Sequence, residues 1–70
     1  MQRSEFTCSC SFSELALVKL RLAEVDGLVL DEQFTANGVD LVIALGDAHR
    51  APLQQQLADL SRGRILLEAC

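Results

Sequence analysis

The side chains of this chain that could ligate a metal, move a proton or attack an electrophile are few: three cysteines, one histidine and ten acidic residues. Two of the cysteines, Cys8 and Cys10, stand one residue apart in the stretch FTCSCSF, Phe6 to Phe12. Alternate residues of a strand point the same way, about 7 Å apart along its length, so the two thiols share a side and raise the question of a metal or redox pair. A structural zinc needs four ligands, commonly in two C-x₂₋₄-C type pairs. Here a single C-x-C stands with a terminal Cys70 and a lone His49, and no second pair. Phe6 and Phe12 fall on the same side as the thiols, and free cysteine behaves as a small buried hydrophobe. The spacing therefore predicts a core-facing strand, with Cys8 and Cys10 slow to react and Cys70 exposed at the terminus.

His49 and Arg50 stand together near the start of a second helix, where such a pair could bind an anion. No Ser or Cys nucleophile is recognisably paired with this histidine, and both residues read as solvated helix surface. Asp31, Glu32 and Asp40 gather on a predicted hairpin. A hard cation such as Ca²⁺ wants six or more oxygens from a folded loop, so these carboxylates read as a solvated hairpin. There is no G-x-S-x-G, no H-E-x-x-H and no phosphate-binding glycine-rich loop. No catalytic, cofactor-binding or metal-ligating residue is assigned, no cofactor is expected, and the chain is expected not to be an enzyme.

The elements that position these residues follow from periodicity. Residues 5–12 alternate with period two, the mark of a half-buried strand. Ser11-Phe12-Ser13-Glu14 matches a capping box, with Ser11 as N-cap and Glu14 reaching back. Leu15, Val18, Leu22 and Val25 then form one helical stripe, ended by Asp26-Gly27 with glycine as the left-handed residue. Leu28 to Phe34 and Val39 to Leu45 flank Asn37-Gly38, a strong hairpin signal. A two-residue turn there pairs Ala36 with Val39, Phe34 with Leu41 and Leu30 with Leu45 on one core face. The same register sets Glu32 opposite Ile43, which requires either a bulge or an edge strand carrying an inward charge.

Leu53, Leu57 and Leu60 mark the second helix, ended by Ser61-Arg62-Gly63. Either Asp47 is its N-cap, which leaves Pro52 inside at the loss of a hydrogen bond, or it starts at Pro52, which avoids that loss. Ile65, Leu67 and Ala69 alternate with Arg64, Leu66 and Glu68 as a last strand. The order βαββαβ predicts an α+β, ferredoxin-like fold: a four-stranded antiparallel sheet in the order 4-1-3-2 with both helices on one face. Leu15, Val18, Leu22, Leu53, Leu57 and Leu60 should pack on Phe6, Cys8, Leu30, Leu41, Ile43 and Leu67.

Residues 1–70 make a single domain. Half of them are hydrophobic, and a chain near this size buries about 60% of its unfolded surface, enough for a small core. Six basic residues face ten acidic ones for a formal charge of −4, with no Tyr or Trp to stack bases. RNA or ribosome binding is disfavoured on that balance, because phosphates must be neutralised by Lys and Arg. No apolar run approaches the roughly 20 residues of a bilayer span, and the N-terminus lacks a signal-peptide pattern; no membrane partner is expected. An odd cysteine count prevents a complete intrachain disulfide framework, and the cytoplasm is the expected location.

The helix ending in Asp26-Gly27, the hairpin after it, and above all Leu57-Ala58-Asp59-Leu60-Ser61-Arg62-Gly63 resemble the C-terminal domain of bacterial YigZ proteins, of the YigZ/IMPACT family. The resemblance runs from Glu5 to Ala69. Its most specific part, LADxSRG, is a structural helix end and not a catalytic motif. The resemblance implies a ferredoxin-like domain, similar to one in elongation factor G, preceded by an N-terminal domain related to a ribosomal-protein fold. It also implies an uncharacterised protein linked to translation or RNA, of which this chain is the C-terminal part. The family has no established site in this domain, so no functional residue carries over.

These readings converge on a non-enzymatic accessory or interaction domain. Its expected partners are its own N-terminal domain or a second copy. The alternatives are a nucleic-acid-binding module and a small-ligand regulatory module of the ACT kind, which would need oligomerisation to build its pocket. The open face of the sheet should show Thr7, Ser9, Val29, Asp31, Gln33, Asp40, Val42, Ala44, Leu66 and Glu68. Leu17 and Leu20 lie about 150° from the apolar stripe of the first helix at 100° per residue. The candidate interface residues are Leu17, Leu20, Val29, Val42 and Leu66; scattered apolar surface is the other reading of the same residues.

Overall fold

A computed structural model describes residues 3–69. Alternation of apolar and small polar residues sets β1 (Arg3–Cys10), which buries Phe6, Cys8 and Cys10 and exposes Thr7 and Ser9 between them. The strand stops two residues short of Phe12. That ring, expected in the core, is 54% exposed and stacks instead on Phe34, with centroids 6.3 Å apart. The chain has already turned toward the helix at Ser11, so the period-two argument no longer applies to Phe12.

Helix α1 (Leu15–Glu24) buries Val18 and Leu22, with Leu15 and Val25 packed at the margin of the core. Half of the expected capping box forms: the Ser11 N–H donates to the Glu14 carboxylate at 2.9 Å. The Ser11 hydroxyl pairs with that of Ser13 instead, and the N-cap position belongs to Glu14. The bond from the Ser11 backbone is the main reason the Glu14 carboxyl lies below its ordinary range. Burial opposes it, and the Ser11 side chain and the Arg64 guanidinium add smaller lowering effects. At the other end the left-handed residue is Asp26 (φ 58°), not Gly27. Glycine is needed at 27 for space, because a Cβ there would lie 2.2 Å from Leu22 Cδ1.

Strands β2 (Leu28–Phe34) and β3 (Val39–Gly46) form the expected hairpin, but in a shifted register. Phe34 pairs with Val39 and Glu32 with Leu41, so the turn residues are Ala36-Asn37 and not Asn37-Gly38. Thr35 makes the difference. Its hydroxyl accepts from the N–H groups of Asn37 and Gly38 (3.2 and 3.1 Å), and its own N–H donates to the Gly38 carbonyl at 2.8 Å. Beyond Glu32 a bulge between Val29 and Asp31 shifts the register again. Val29 therefore turns inward, and Leu30, expected opposite Leu45 in the core, is half exposed. Both features anticipated for Glu32 are present: the bulge, and an edge strand with an inward charge. Glu32 reaches Lys19 of α1 at 2.7 Å, a half-exposed pair contributing at most about 1 kcal/mol.

Helix α2 (Asp47–Ser61) follows β3 without a loop and carries Pro52 inside it. The earlier start prevails over the start at Pro52, but the N-cap is Gly46 and Asp47 is the first helical residue. Asp47 places a negative charge in the first turn, where the helix dipole favours it, and accepts from the Ser4 hydroxyl at 2.5 Å. The Arg50 guanidinium lies 5.8 Å from the Phe6 ring centroid, a cation–π contact. These contacts offset one missing backbone bond at an exposed proline. Leu53 and Leu57 are buried and Leu60 partly so.

The LADxSRG segment ends this helix. The buried Ser61 hydroxyl donates to the Leu57 carbonyl (2.6 Å) and accepts from the Ile65 N–H (3.0 Å), while Arg62 and Gly63 take left-handed conformations. Ile65 and Leu67 are buried and Leu66 between them is exposed, as expected, although the paired part of β4 is only Glu68–Ala69. Cys70 lies outside the described residues.

The sheet order is β2-β3-β1-β4, all neighbours antiparallel. Read from the other edge this is 4-1-3-2, and the α+β, ferredoxin-like expectation holds. The core lies between the helices and one sheet face, built on Phe6, Cys8, Leu41, Ile43, Leu53 and Leu57.

Candidate functional site

The second face of the sheet has no layer over it among the described residues. Its registers align three rows: Leu28–Ala44–Glu5, Asp31–Val42–Thr7–Glu68, and Gln33–Asp40–Ser9. A shallow depression of about 430 Å³ opens here, lined by Thr7, Ser9, Gln33, Asp40, Val42 and Leu66, with Arg64 and Glu68 at its margin. The Ser9 hydroxyl donates to Asp40 at 2.6 Å and the Gln33 amide to Asp31 at 3.3 Å. Leu66 is 57% exposed at the edge, and Val42 is half buried in the floor. The surface can hold a polar or cationic group and present apolar area beside it. Its one serine–carboxylate pair is accompanied by no histidine, since His49 sits exposed in the first turn of α2.

Beneath this face the thiols of Cys8 and Cys10 turn into the core. Burial, with smaller contributions from Cys10 and Asp40, pushes the Cys8 thiol up to about 11; burial likewise raises Cys10. The thiolate is the reactive form, and an ordinary thiol titrates near 8.5. At neutral pH Cys8 should therefore react with a thiol reagent on the order of 10² times more slowly in the folded domain than in the unfolded chain. Labelling followed by mass spectrometry across a urea series checks this; fast labelling of Cys8 in native buffer would contradict the buried placement. Among the described residues no three of His, Cys, Asp and Glu converge as metal ligands.

The acidic cluster of the hairpin is divided by the structure: Glu32 faces α1 while Asp31 and Asp40 face the open side. Arg50 is occupied by Phe6. The candidate interface residues also separate. Val42 and Leu66 lie on the open sheet face, whereas Leu17 and Leu20 are exposed on the outer side of α1, in the other layer. Val29, expected on the open face, packs against the core because of the bulge. Leu28 and Leu30, both about half exposed, are apolar surface that periodicity did not mark, because the bulge that reverses β2 has no glycine to announce it. Among the described residues no helix is long and apolar enough to cross a membrane.

The family model for a domain of unknown function (DUF1949) matches residues 8–64. No curated protein matches the chain. A solved structure described as that of an hypothetical protein superposes with a TM-score of 0.92 at 32% identity, over 97% of this chain and 32% of that one. The chain thus spans about a third of the length of the solved protein it matches.

Proposed function

The chain belongs to the domain-of-unknown-function family DUF1949, the domain found at the C-terminus of YigZ/IMPACT proteins, and on that basis we propose that it is a non-enzymatic docking domain. In this reading it acts in a cytoplasmic protein with a role in translation, and its uncovered sheet face packs against the domain that precedes it. The observation that carries the proposal is the arrangement of layers. Both helices cover one face, while the other presents Val42 and the exposed Leu66 around a shallow depression. Burial of leucine-sized apolar surface contributes on the order of 2 kcal/mol per side chain, so a few such residues suffice for a modest intramolecular contact. The burial of the Cys8 thiol, which raises its pKa, and the unaccompanied Ser9–Asp40 pair weigh against catalysis. The formal charge of −4 weighs against a nucleic-acid surface.

The test is a titration of the isotope-labelled 70-residue chain with the separately produced first domain of a two-domain YigZ/IMPACT protein. Amide shifts should concentrate on Thr7, Ser9, Val42 and Leu66. Leu66→Gln should weaken binding about tenfold, the equivalent of roughly 1.4 kcal/mol, at an unchanged unfolding midpoint. The double variant Leu17→Gln with Leu20→Gln should leave the affinity unchanged. Loss of binding in that double variant with Leu66→Gln silent would move the docking surface to the helix layer and overturn the proposal.

A further inference from the structure

We infer that the occupant of the open sheet face is a cationic, amphipathic protein segment: Lys or Arg side chains alternating with apolar ones. This deepens the docking reading above and rests on it. Four carboxylates lie on this face: Glu5, Asp31, Asp40 and Glu68. Arg3 and Arg64 are the cations beside them, and Arg64 is already committed to Glu14. None of the four is ion-paired with a cation among the described residues.

Asp31 and Asp40 are diagonal neighbours on adjacent strands, about 7–8 Å apart. Asp31 and Glu68 close the two ends of one row across the sheet, a span of about 14 Å at the strand spacing. The Asp31–Asp40 separation lies within the roughly 8 Å Debye length at physiological salt, so these two carboxylates act as one negative patch, and Glu68 adds a second charge at the far edge of the face. Val42 and Leu66 lie among them as apolar area.

Each simpler occupant meets only part of this surface. A second copy would bring an equally acidic face against this one, and a phosphate backbone would meet carboxylates. A small polyamine would satisfy the charge and leave Leu66 in water. A segment with cations reaching Asp40 and Glu68 and an apolar side chain between them satisfies both.

The experiment uses the 70-residue chain and four probes: a short peptide alternating Lys and Leu, its counterpart with Glu for Lys, spermine, and a single-stranded RNA oligomer. The Lys–Leu peptide should shift the amides of Thr7, Ser9, Asp40 and Val42, with an affinity that falls as salt rises. Asp40→Asn with Glu68→Gln should weaken it at least tenfold. Glu24→Gln with Asp59→Asn, which removes the same charge from the helix layer, should change it less than twofold. Equal weakening by both double variants would reduce the effect to net charge and overturn the inference. So would shifts confined to the helices, spermine binding as tightly as the peptide, or RNA shifting the same residues. In the titration with the preceding domain, Leu66→Gln weakening binding while Asp40→Asn with Glu68→Gln does not would leave the docking face standing and remove its cationic partner. An open face silent to every probe and to that domain would remove both.

Discussion

Gly38→Ala is expected to destabilise the domain by about 3 kcal/mol. A Cβ built at this position lies 2.3 Å from the Cys10 carbonyl oxygen, with the Cys10 carbonyl carbon and Ser11 Cα at 3.3 Å. All three are backbone atoms, so no rotamer change relieves the contact. Either the hairpin turn or the end of β1 must move, and the Cys10–Val39 pair that closes the sheet at this end is then strained. The backbone at Gly38 (φ 159°) also lies where L side chains are rarely found, so a conformational penalty adds to the steric one. A domain of this size has a total stability of roughly 4–10 kcal/mol, and the substitution takes a large share. Gly63→Ala is the informative control. Nothing lies within 4 Å of its built Cβ, but its φ of 83° is left-handed, for which about 1–2 kcal/mol is expected. Urea unfolding of both variants checks the order; a Gly38→Ala cost below that of Gly63→Ala would show that the turn is free to shift away from Cys10.

The same corner of the molecule shows what periodicity can and cannot read. Element order and strand topology follow from apolar spacing, because each stripe has one way to be buried: Val18 and Leu22 on α1, Leu53 and Leu57 on α2, Ile65 and Leu67 before β4. The turn did not follow, because Asn37-Gly38 signals φ tolerance while the register is decided by the Thr35 hydroxyl, a local polar contact without periodicity. Shifting the turn by one residue moves the cross-strand partner by two, so Glu32 and Phe34 kept their face and the core survived the error. The bulge at Leu30 did not preserve faces, and it alone exchanged Val29 for Leu30.

The start of α2 was undecided because a proline's local penalty had to be weighed against tertiary contacts of Asp47 and Arg50, which are 43 and 44 residues from Ser4 and Phe6 in the chain. For the candidate surface, exposure of Leu17, Leu20 and Leu66 was legible from the stripes they fall outside. Their division between two layers follows from the expected fold, which puts both helices on one face and leaves Leu66 on the other. Asp31, Asp40 and Glu68 were legible on that side from strand alternation, whereas Glu5 joins them only through the pairing of β1 with β3.

Gln54 lies on no apolar stripe and in no motif, and its replacement is expected to carry the second large effect. The short β4 leaves residues 64–67 without strand partners of their own, yet Ile65 and Leu67 must be held against the core. The Gln54 amide does this from α2: its Nε2 donates to the Ile65 carbonyl at 3.0 Å, and its Oε1 accepts from the Leu67 N–H at 2.7 Å. It supplies in one side chain the donor and acceptor that a neighbouring strand would provide. A part-buried backbone group left unsatisfied costs about 1–3 kcal/mol, so Gln54→Leu, similar in size, should cost about 2–3 kcal/mol. Hydrogen exchange should report where: the Leu67 amide loses protection before the amides of β1 and β3.

Gln54→Glu separates the two bonds. An ionised carboxylate still accepts from Leu67 but places charge against the Ile65 carbonyl and has no proton to donate. That raises its folded-state pKa above the unfolded value near 4.3. A group raised in this way contributes most below the unfolded value and loses that contribution as pH rises through the folded one. The variant should therefore unfold at lower urea than wild type at pH 7 and recover toward it near pH 4. If Gln54→Leu costs less than about 0.5 kcal/mol, burial of Ile65 and Leu67 alone fixes the segment, and the amide is a bystander to packing.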